Sequence, residues 1–481
     1  MPFINVIRGQ EVPTAPLNVR TPIVQIPLWM ALTWWTLKGL VTAVYLACRY
    51  WYLTAPATVL LWLYVKFGWS GPVGLLAALT MLSGGWAIGH RRSFLRLAFY
   101  PAMGRWRRTV YRRRWYPAMA TAKLAVSFDG RTVVPILKRV RCTASADMLT
   151  VRMVTGQIPD DYANVAERLA HTFGALGVRV LPGNRPDLVV IALRRRDPLL
   201  ATVAPLPVPA VPDFTALPLG LREDGETYTL RLFGTQVLVV GATDAGKGSV
   251  IWSIVRAVAG GIRTGLVQVW GFDPKGGMEL GGGEPLFARF ACKDFDQMAD
   301  MLEEALAVAQ SRAQRLRGRT RQHTPSRDEP LIIIVIDELA ALTAYLTDRR
   351  LKDRIKAALG LLLTQGRAVG VHVVAALQDP RKEVLPFRNL FPTRVGLRLS
   401  EASEVDLALD EGARDRGALC DRIPKGPQYA GTAYVHIDGD PAPVRVRFSY
   451  NTDADIASLA KEYGRFRVID GEVIASGEAV A

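Results

Sequence analysis

One nine-residue stretch, Gly241-Ala-Thr-Asp-Ala-Gly246-Lys247-Gly248-Ser249, constrains this chain more than any other. It follows the apolar run Gln236–Val240 and precedes Val250–Val258, whose apolar residues suit a helix. A strand that ends in a glycine-rich turn and continues as a helix curls backbone N–H groups around one point. The positive end of the helix dipole is aimed at the same point. Such a turn with a Lys in it is a phosphate cradle. Gly241, Ala242, Thr243, Asp244, Ala245, Gly246, Lys247, Gly248 and Ser249 are therefore the nucleotide-binding candidates, with Lys247 neutralising the β- and γ-phosphates of ATP. One position departs from the pattern. The residue after the Lys is ordinarily Ser or Thr, whose hydroxyl holds Mg²⁺; here it is Gly248. Ser249 is the next hydroxyl and is expected to serve as the metal ligand.

A second half of the site is expected about ninety residues on. Leu331–Ile336 is continuously apolar, the pattern of a strand buried on both faces, and it ends in Asp337-Glu338. An Asp there is placed to hold the Mg²⁺ shell. The Glu beside it is placed to orient the attacking water. Val371–Leu377 reads as another buried strand, and Gln378 at its end is a candidate γ-phosphate sensor. Arg367 lies just before that strand, a candidate arginine acting on a neighbouring subunit's site.

The N-terminal region has a different character. The chain of 481 residues carries a net charge of +16, and no acidic residue lies between Glu11 and Asp129. Thr54–Trp69 and Gly71–Gly89 are near the ~20 residues needed to cross the hydrocarbon layer. The short link around Ser70 forces a hairpin. The Arg-rich stretch His90–Trp115 then stays on the cytoplasmic side by the positive-inside rule. Pro27–Leu46, with Lys38 in mid-span, suits an interfacial helix or a third span. The four cysteines are scattered, which fits neither a disulfide framework nor a structural zinc site.

Together these readings divide the chain into seven parts: a polar N-terminal segment (1–25), a membrane anchor (26–92), a basic juxtamembrane segment (93–119), a small α/β module (120–203), a Pro-rich linker (204–218), an ATPase domain (219–450), and a C-terminal helix and tail (451–481). The expected fold class is α/β: a RecA-like P-loop domain with a mainly parallel central sheet, preceded by the small α/β module and a transmembrane helical hairpin.

The ordered blocks from Leu217 to Ser449 resemble the FtsK/SpoIIIE-type DNA translocases of the HerA–FtsK branch. They include Leu217-Pro-Leu-Gly-Leu, the loop itself, Asp273-Pro274-Lys275, Ile336-Asp337-Glu338, Gly366-Arg367-Ala368, Ala375-Ala376-Leu377-Gln378-Asp379-Pro380 and Pro392-Thr393-Arg394. The Gly-Lys-Gly-Ser loop and Asp273-Pro-Lys-Gly-Gly-Met-Glu-Leu280 look most like actinomycete conjugation proteins of the TraB/TraSA type. The resemblance implies a hexameric ring that passes double-stranded DNA through its centre, at the plasma membrane, with other conjugation proteins as further partners. It implies Gln378 as the sensor and Arg367 as the trans-acting arginine, with Arg394 as a second candidate. Arg381 and Lys382, in the loop after the sensor strand, are the expected DNA contacts; Arg312, Arg315, Arg317, Arg319 and Arg321 form another basic stretch. About thirty residues follow Ser449, too few for a winged-helix DNA reader. Two readings compete: a chromosome-segregation, coupling or secretion ATPase with single-stranded DNA or protein cargo, and a non-catalytic nucleotide-binding tether.

Overall fold

The computed structural model describes residues 28–128, 130–381, 387–440, 442–464, 466–469 and 472–475. The chain forms two units, Met1–Leu95 and Arg96–Ala481. In the first, three helices follow one another: α1 (Leu28–Arg49), α2 (Trp51–Phe67) and α3 (Ser70–Gly89). α3 buries none of its residues, although it is apolar all round. α2 and α3 fold back on each other where Gly71 meets Leu63; a Cβ on Gly71 would lie 2.7 Å from the Leu63 carbonyl oxygen. Among the described residues, Ser70–Gly89 is the one helix long and apolar enough to cross a membrane, and Thr54–Phe67 is shorter. One such helix does not make the multi-pass anchor expected from the sequence.

The second unit begins with α4 (Tyr100–Thr121), which lies on a four-stranded antiparallel sheet of β1 (Ile136–Cys142), β2 (Ala146–Arg152), β3 (Gly177–Pro182) and β4 (Leu188–Arg194), in the order β1-β2-β4-β3. Along β2 and β4, buried residues alternate with half-exposed ones, as a sheet covered on one face requires. The covering is α4 and α5 (Ala166–Phe173). Tyr111, Trp115 and Met119 share a core with Leu149, Val151, Leu169 and Ile191. Gly104 lets α4 approach, since a Cβ there would sit 2.9 Å from the Val140 carbonyl oxygen. Part of the basic segment 93–119 is thus a packed helix of this module. The buried Asp147 explains how so cationic a helix docks: one of its carboxylate oxygens accepts from Arg107, from Tyr111 at 2.6 Å and from Arg195 at 3.0 Å. Those hydrogen bonds outweigh the cost of burial and hold its carboxyl below the usual range.

The Pro-rich stretch 204–218, expected as a connector, is strapped onto the next domain. It crosses α6 (Lys247–Thr264) at Gly260 and Gly261. A Cβ at Gly260 would lie 2.2 Å from the Pro209 carbonyl oxygen, and Arg256 Nε donates to Leu206 O at 2.6 Å.

The ATPase domain is built on a ten-stranded mixed sheet. In chain order its strands are β5 (Leu217–Arg222), β6 (Thr227–Leu230), β7 (Val237–Val240), β8 (Val267–Phe272), β9 (Phe287–Ala291), β10 (Leu331–Ile336), β11 (Val371–Leu377), β12 (Thr393–Gly396), β13 (Thr432–Ile437) and β14 (Val444–Phe448). Their spatial order is β9-β8-β10-β11-β7-β12-β13-β14-β5-β6. The first six run parallel and the remainder antiparallel, so the sheet is mixed where a mainly parallel one was expected. β7, β10 and β11 are buried at every residue. α7 (Phe295–Leu316) and α8 (Arg349–Gln365) cover one face, while α6 and α9 (Asp453–Tyr463) cover the other.

Candidate nucleotide site

Parallel pairing decides what meets at the carboxyl edge of this sheet. Val240 is opposite Leu377, and Ile336 is opposite both Phe272 and Ala375. The residues that leave these strands, Gly241, Gln378, Asp337 and Asp273, therefore emerge on one rim, although nearly 140 positions separate the first two in sequence.

The loop at this rim is held from three sides. Gly241 N donates to Leu377 O at 3.1 Å, Ala242 N to Arg398 O at 2.9 Å, and Gly431 N to Ala245 O at 3.0 Å. Gly246 has φ +94°, in the left-handed region that glycine adopts without strain, and a Cβ there would lie 2.3 Å from Gly431 N. Asp244 also has a positive φ, 60°, as turn Asp and Asn residues tolerate. The α6 N-terminus follows at once, at Lys247. Lys247 Nζ donates to Gly241 O at 2.9 Å and Ala242 O at 3.2 Å, so the ammonium is already curled into the loop. Burial pulls its pKa down, while Glu338 is the strongest influence in the other direction.

Asp337 and Glu338 are 3% and 5% exposed at the end of β10. Their shared partner is Lys275, whose Nζ lies 2.9 Å from Asp337 Oδ2 and 3.4 Å from Glu338 Oε2. Burial disfavours the Lys275 charge, but the two carboxylates outweigh it and raise its pKa. The pair thus attracts a cation. Glu338 Oε1 is buried with no hydrogen-bond partner among the described residues. A buried acceptor left without a partner is costly, and Glu338 stands at the strand end that reaches this rim. Among the described residues no three acidic, His or Cys side chains gather to cage a metal. Mg²⁺ is held by one or two carboxylates together with substrate phosphates and water. Asp337 fits such a role.

The other expected residues separate clearly. Gln378 meets the loop, accepting from Thr243 Oγ1 at 3.5 Å. Ser249, expected as the metal hydroxyl, is 7% exposed and lies against Gly431; one residue along a helix turns a side chain by about 100°, away from position 248. Arg367 is exposed at the opposite end of β11 from Gln378, roughly 20 Å away at strand rise. It is out of reach of its own chain's loop. Arg394 is tied down inside, with Nε donating to Phe391 O at 3.0 Å and Nη1 to Leu409 O. Arg312 is also internal, donating to Pro330 O at 2.7 Å and to Val369 and Gly370. Arg315 pairs with Glu329 but is itself exposed, as are Arg317, Arg319 and Arg321 in that stretch. Arg381 is exposed and 3.5 Å from Asp379; Lys382 lies outside the described residues.

Two residues not expected at the site stand beside it. Arg398 donates to Thr243 O at 2.6 Å and so braces the loop. Asp273, fully buried, accepts from the backbone of Lys275, Glu279 and Leu280 at 3.2, 2.9 and 2.9 Å, which shapes the turn after β8. An Asp at a strand end followed by Gly-Gly was the available signal for that turn; nothing local marked Arg398.

Much of the chain is similar to known proteins. Residues 100–194, which span α4 and the whole four-stranded sheet, match the actinomycete conjugal transfer protein N-terminal domain. The chain resembles TraSA and the FtsK translocases. It is 25% identical to the transfer protein TraSA of Streptomyces ambofaciens over 74% of this chain and 88% of that one. It is 22% identical to the DNA translocase FtsK of Borreliella burgdorferi over 68% of this chain, and spans 42% of that relative's length. Among solved structures, the pCW3 conjugation coupling protein TcpA with ATPγS aligns with 72% of this chain and 98% of its own, at 17% identity and a TM-score of 0.46.

Proposed function

We propose that this protein is a membrane-anchored ATPase that drives double-stranded DNA between cells during conjugation. The observation that carries the reading is the rim itself. Lys247 in its loop, the buried Asp337–Glu338 pair and Gln378 converge there from three neighbouring parallel strands. Lys247 neutralises the phosphates, Asp337 holds Mg²⁺, and Glu338 Oε1 accepts from the attacking water and aligns it. When bound, Mg²⁺ supplies the positive charge that the γ-phosphate oxygens need as the bond breaks. Gln378, in touch with Thr243, reports the loop's state to the strand that leads toward Arg381. A non-catalytic tether has little use for a second buried carboxylate beside Lys247 and the glycine-rich loop, which favours hydrolysis.

Conjugation as the setting rests on the likeness to TraSA and on the matched N-terminal domain. Double-stranded cargo rests on the likeness to FtsK translocases. Anchoring rests on Ser70–Gly89 and on the arginines that follow it. A ring is the assembly in which Arg367, exposed and too far from its own loop to act there, would reach a neighbouring subunit's site.

The test is ATP turnover by the purified full chain in detergent, with duplex DNA, single strands or no DNA. Stimulation by duplex, lost in Lys247→Ala and Glu338→Gln, is expected. Stimulation by single strands alone would transfer the reading to a coupling ATPase. Nucleotide binding without turnover under any condition would leave the tether.

A further inference from the structure

Across the rim from position 248, where the usual hydroxyl is missing, stands Glu279. A Cβ on Gly248 would lie 1.9 Å from Glu279 Oε1, far inside van der Waals contact. No side chain fits there while Glu279 holds its place, and the oxygen of a serine at 248 would compete for the volume that the glutamate oxygen fills. Glu279 is an exposed residue whose approach is set by its backbone. Its backbone N–H is held at 2.9 Å by the buried Asp273, and the same carboxylate fixes Lys275 N and Leu280 N. Gly276 and Gly277, both with φ +82°, make the turn that brings it back onto α6. The same turn delivers Lys275 to Asp337 and Glu338. Glu279 therefore faces the first turn of α6 from the side on which the Asp337–Glu338 pair collects positive charge.

We infer that Glu279 takes the place of the phosphate-loop hydroxyl, its carboxylate serving as the oxygen ligand that Gly248 lacks in the Mg²⁺ shell of the bound nucleotide. The inference rests on the nucleotide-site reading above. A carboxylate is a harder, more negative donor than a hydroxyl, so the exchange has a consequence that a serine would not produce. Without Mg²⁺ the carboxylate repels the nucleotide phosphates; with Mg²⁺ it joins them around one cation. Nucleotide affinity should then depend on the metal more steeply in this chain than in one with Ser at 248.

The experiment uses the full chain in detergent and two binding readouts: ATPγS affinity with Mg²⁺ or with EDTA, by calorimetry, and Mn²⁺ affinity of the ATPγS complex, by electron paramagnetic resonance. Glu279→Gln should weaken Mn²⁺ about tenfold or more while leaving metal-free ATPγS binding equal or tighter. Gly248→Ser alone should also weaken Mn²⁺, because the two oxygens collide. Glu279→Ala with Gly248→Ser should recover most of the loss, since a hydroxyl then has room. Mn²⁺ affinity within twofold of the parent in Glu279→Gln, with Lys247→Ala still abolishing ATPγS binding, overturns the inference and leaves the nucleotide site standing. The same holds if Glu279→Gln only lowers the melting temperature of the nucleotide-free protein, the mark of an acid that merely caps α6. ATPγS binding undisturbed by Lys247→Ala would remove the nucleotide-site reading and the inference with it.

Discussion

The two larger sheets of the second unit bury their strands in opposite ways. β10 is buried at six consecutive residues and is flanked by parallel neighbours, whereas β2 alternates half-exposed and buried along its length. A strand covered on both faces has nowhere to put polar side chains except at its ends. Parallel neighbours then bring those ends to one rim, and the rim becomes a site. A strand covered on one face spreads its polar groups along the sheet, where they serve as fasteners. The polar clusters differ accordingly. Asp147 in the small module gathers two arginines and a tyrosine on one oxygen, while Glu338 at the large sheet's rim shares the single Lys275 with Asp337; each keeps its other oxygen buried without a partner among the described residues. What separates the two clusters is place: the first lies between a helix and a sheet face, the second beside Lys247 and the glycine-rich loop.

The sharpest way to break this distinction is to exchange oxygen for nitrogen at the rim. Glu338→Gln preserves shape but removes the charge that orients and activates water, and should lower ATP turnover about 10²–10⁴-fold. ATPγS binding and melting temperature should stay near those of the parent. Turnover within threefold of the parent would place Glu338 with the fasteners. The complementary change is Asp147→Ala. Removing one member of a buried pair costs about 3–5 kcal/mol; here Arg107 and Arg195 are partly exposed and can reach water, so about 3 kcal/mol is expected. Denaturant unfolding should register the loss, and turnover per folded molecule should not.

A third prediction concerns acid. His372 sits inside β11, its Nδ1 within 2.8 Å of Thr235 O, and burial lowers its pKa from 6.5 to about 4. The unfolded chain takes up a proton that the native state refuses. The associated stability is present in full above pH 6.5 and is lost as the pH falls from 6.5 toward 4, by at most about 3 kcal/mol. His372→Asn, which keeps a donor near Thr235, should flatten that part of the stability profile. An unchanged slope between pH 6.5 and 4 would show that other groups, such as His323, carry it.

Which parts of this were legible in the sequence follows the same division. The loop, the Asp337–Glu338 strand end and Gln378 could be read because each is a local pattern, a buried strand followed by a polar residue. Their convergence was foreseeable only as far as parallel pairing is. The Gly248–Glu279 exchange was not readable, because it lies in the fit between a helix start and a turn thirty residues away. Arg312 and Arg394 misled for the same reason. As sequence they are surface cations, and only the tertiary fold shows carbonyl oxygens waiting for them. The basic helix α4 hid its role because its one decisive partner, Asp147, comes some forty residues later.

The least of the expected effects sets how independent the two sheets are. Arg179 on β3 pairs with Glu223 at 2.6 Å and donates to Pro443 O at 2.8 Å, while Arg445 on β14 holds Asp197 at 2.8 Å. Arg179 and Glu223 are each about one-third exposed, so their ion pair is worth only about 0.2–1 kcal/mol. Arg179→Ala should therefore lower global stability by no more than about 1 kcal/mol. If the module and the ATPase domain unfold as one cooperative body, a single transition will persist and shift by that small amount. If the contacts are the main coupling between two separately stable sheets, the same substitution will split the transition in two. The architectural sheet would then fail first, and ATPγS would protect only the second step. A split would mean that the fasteners of the small sheet serve it alone; a single shifted transition would mean that they also help hold the rim in place.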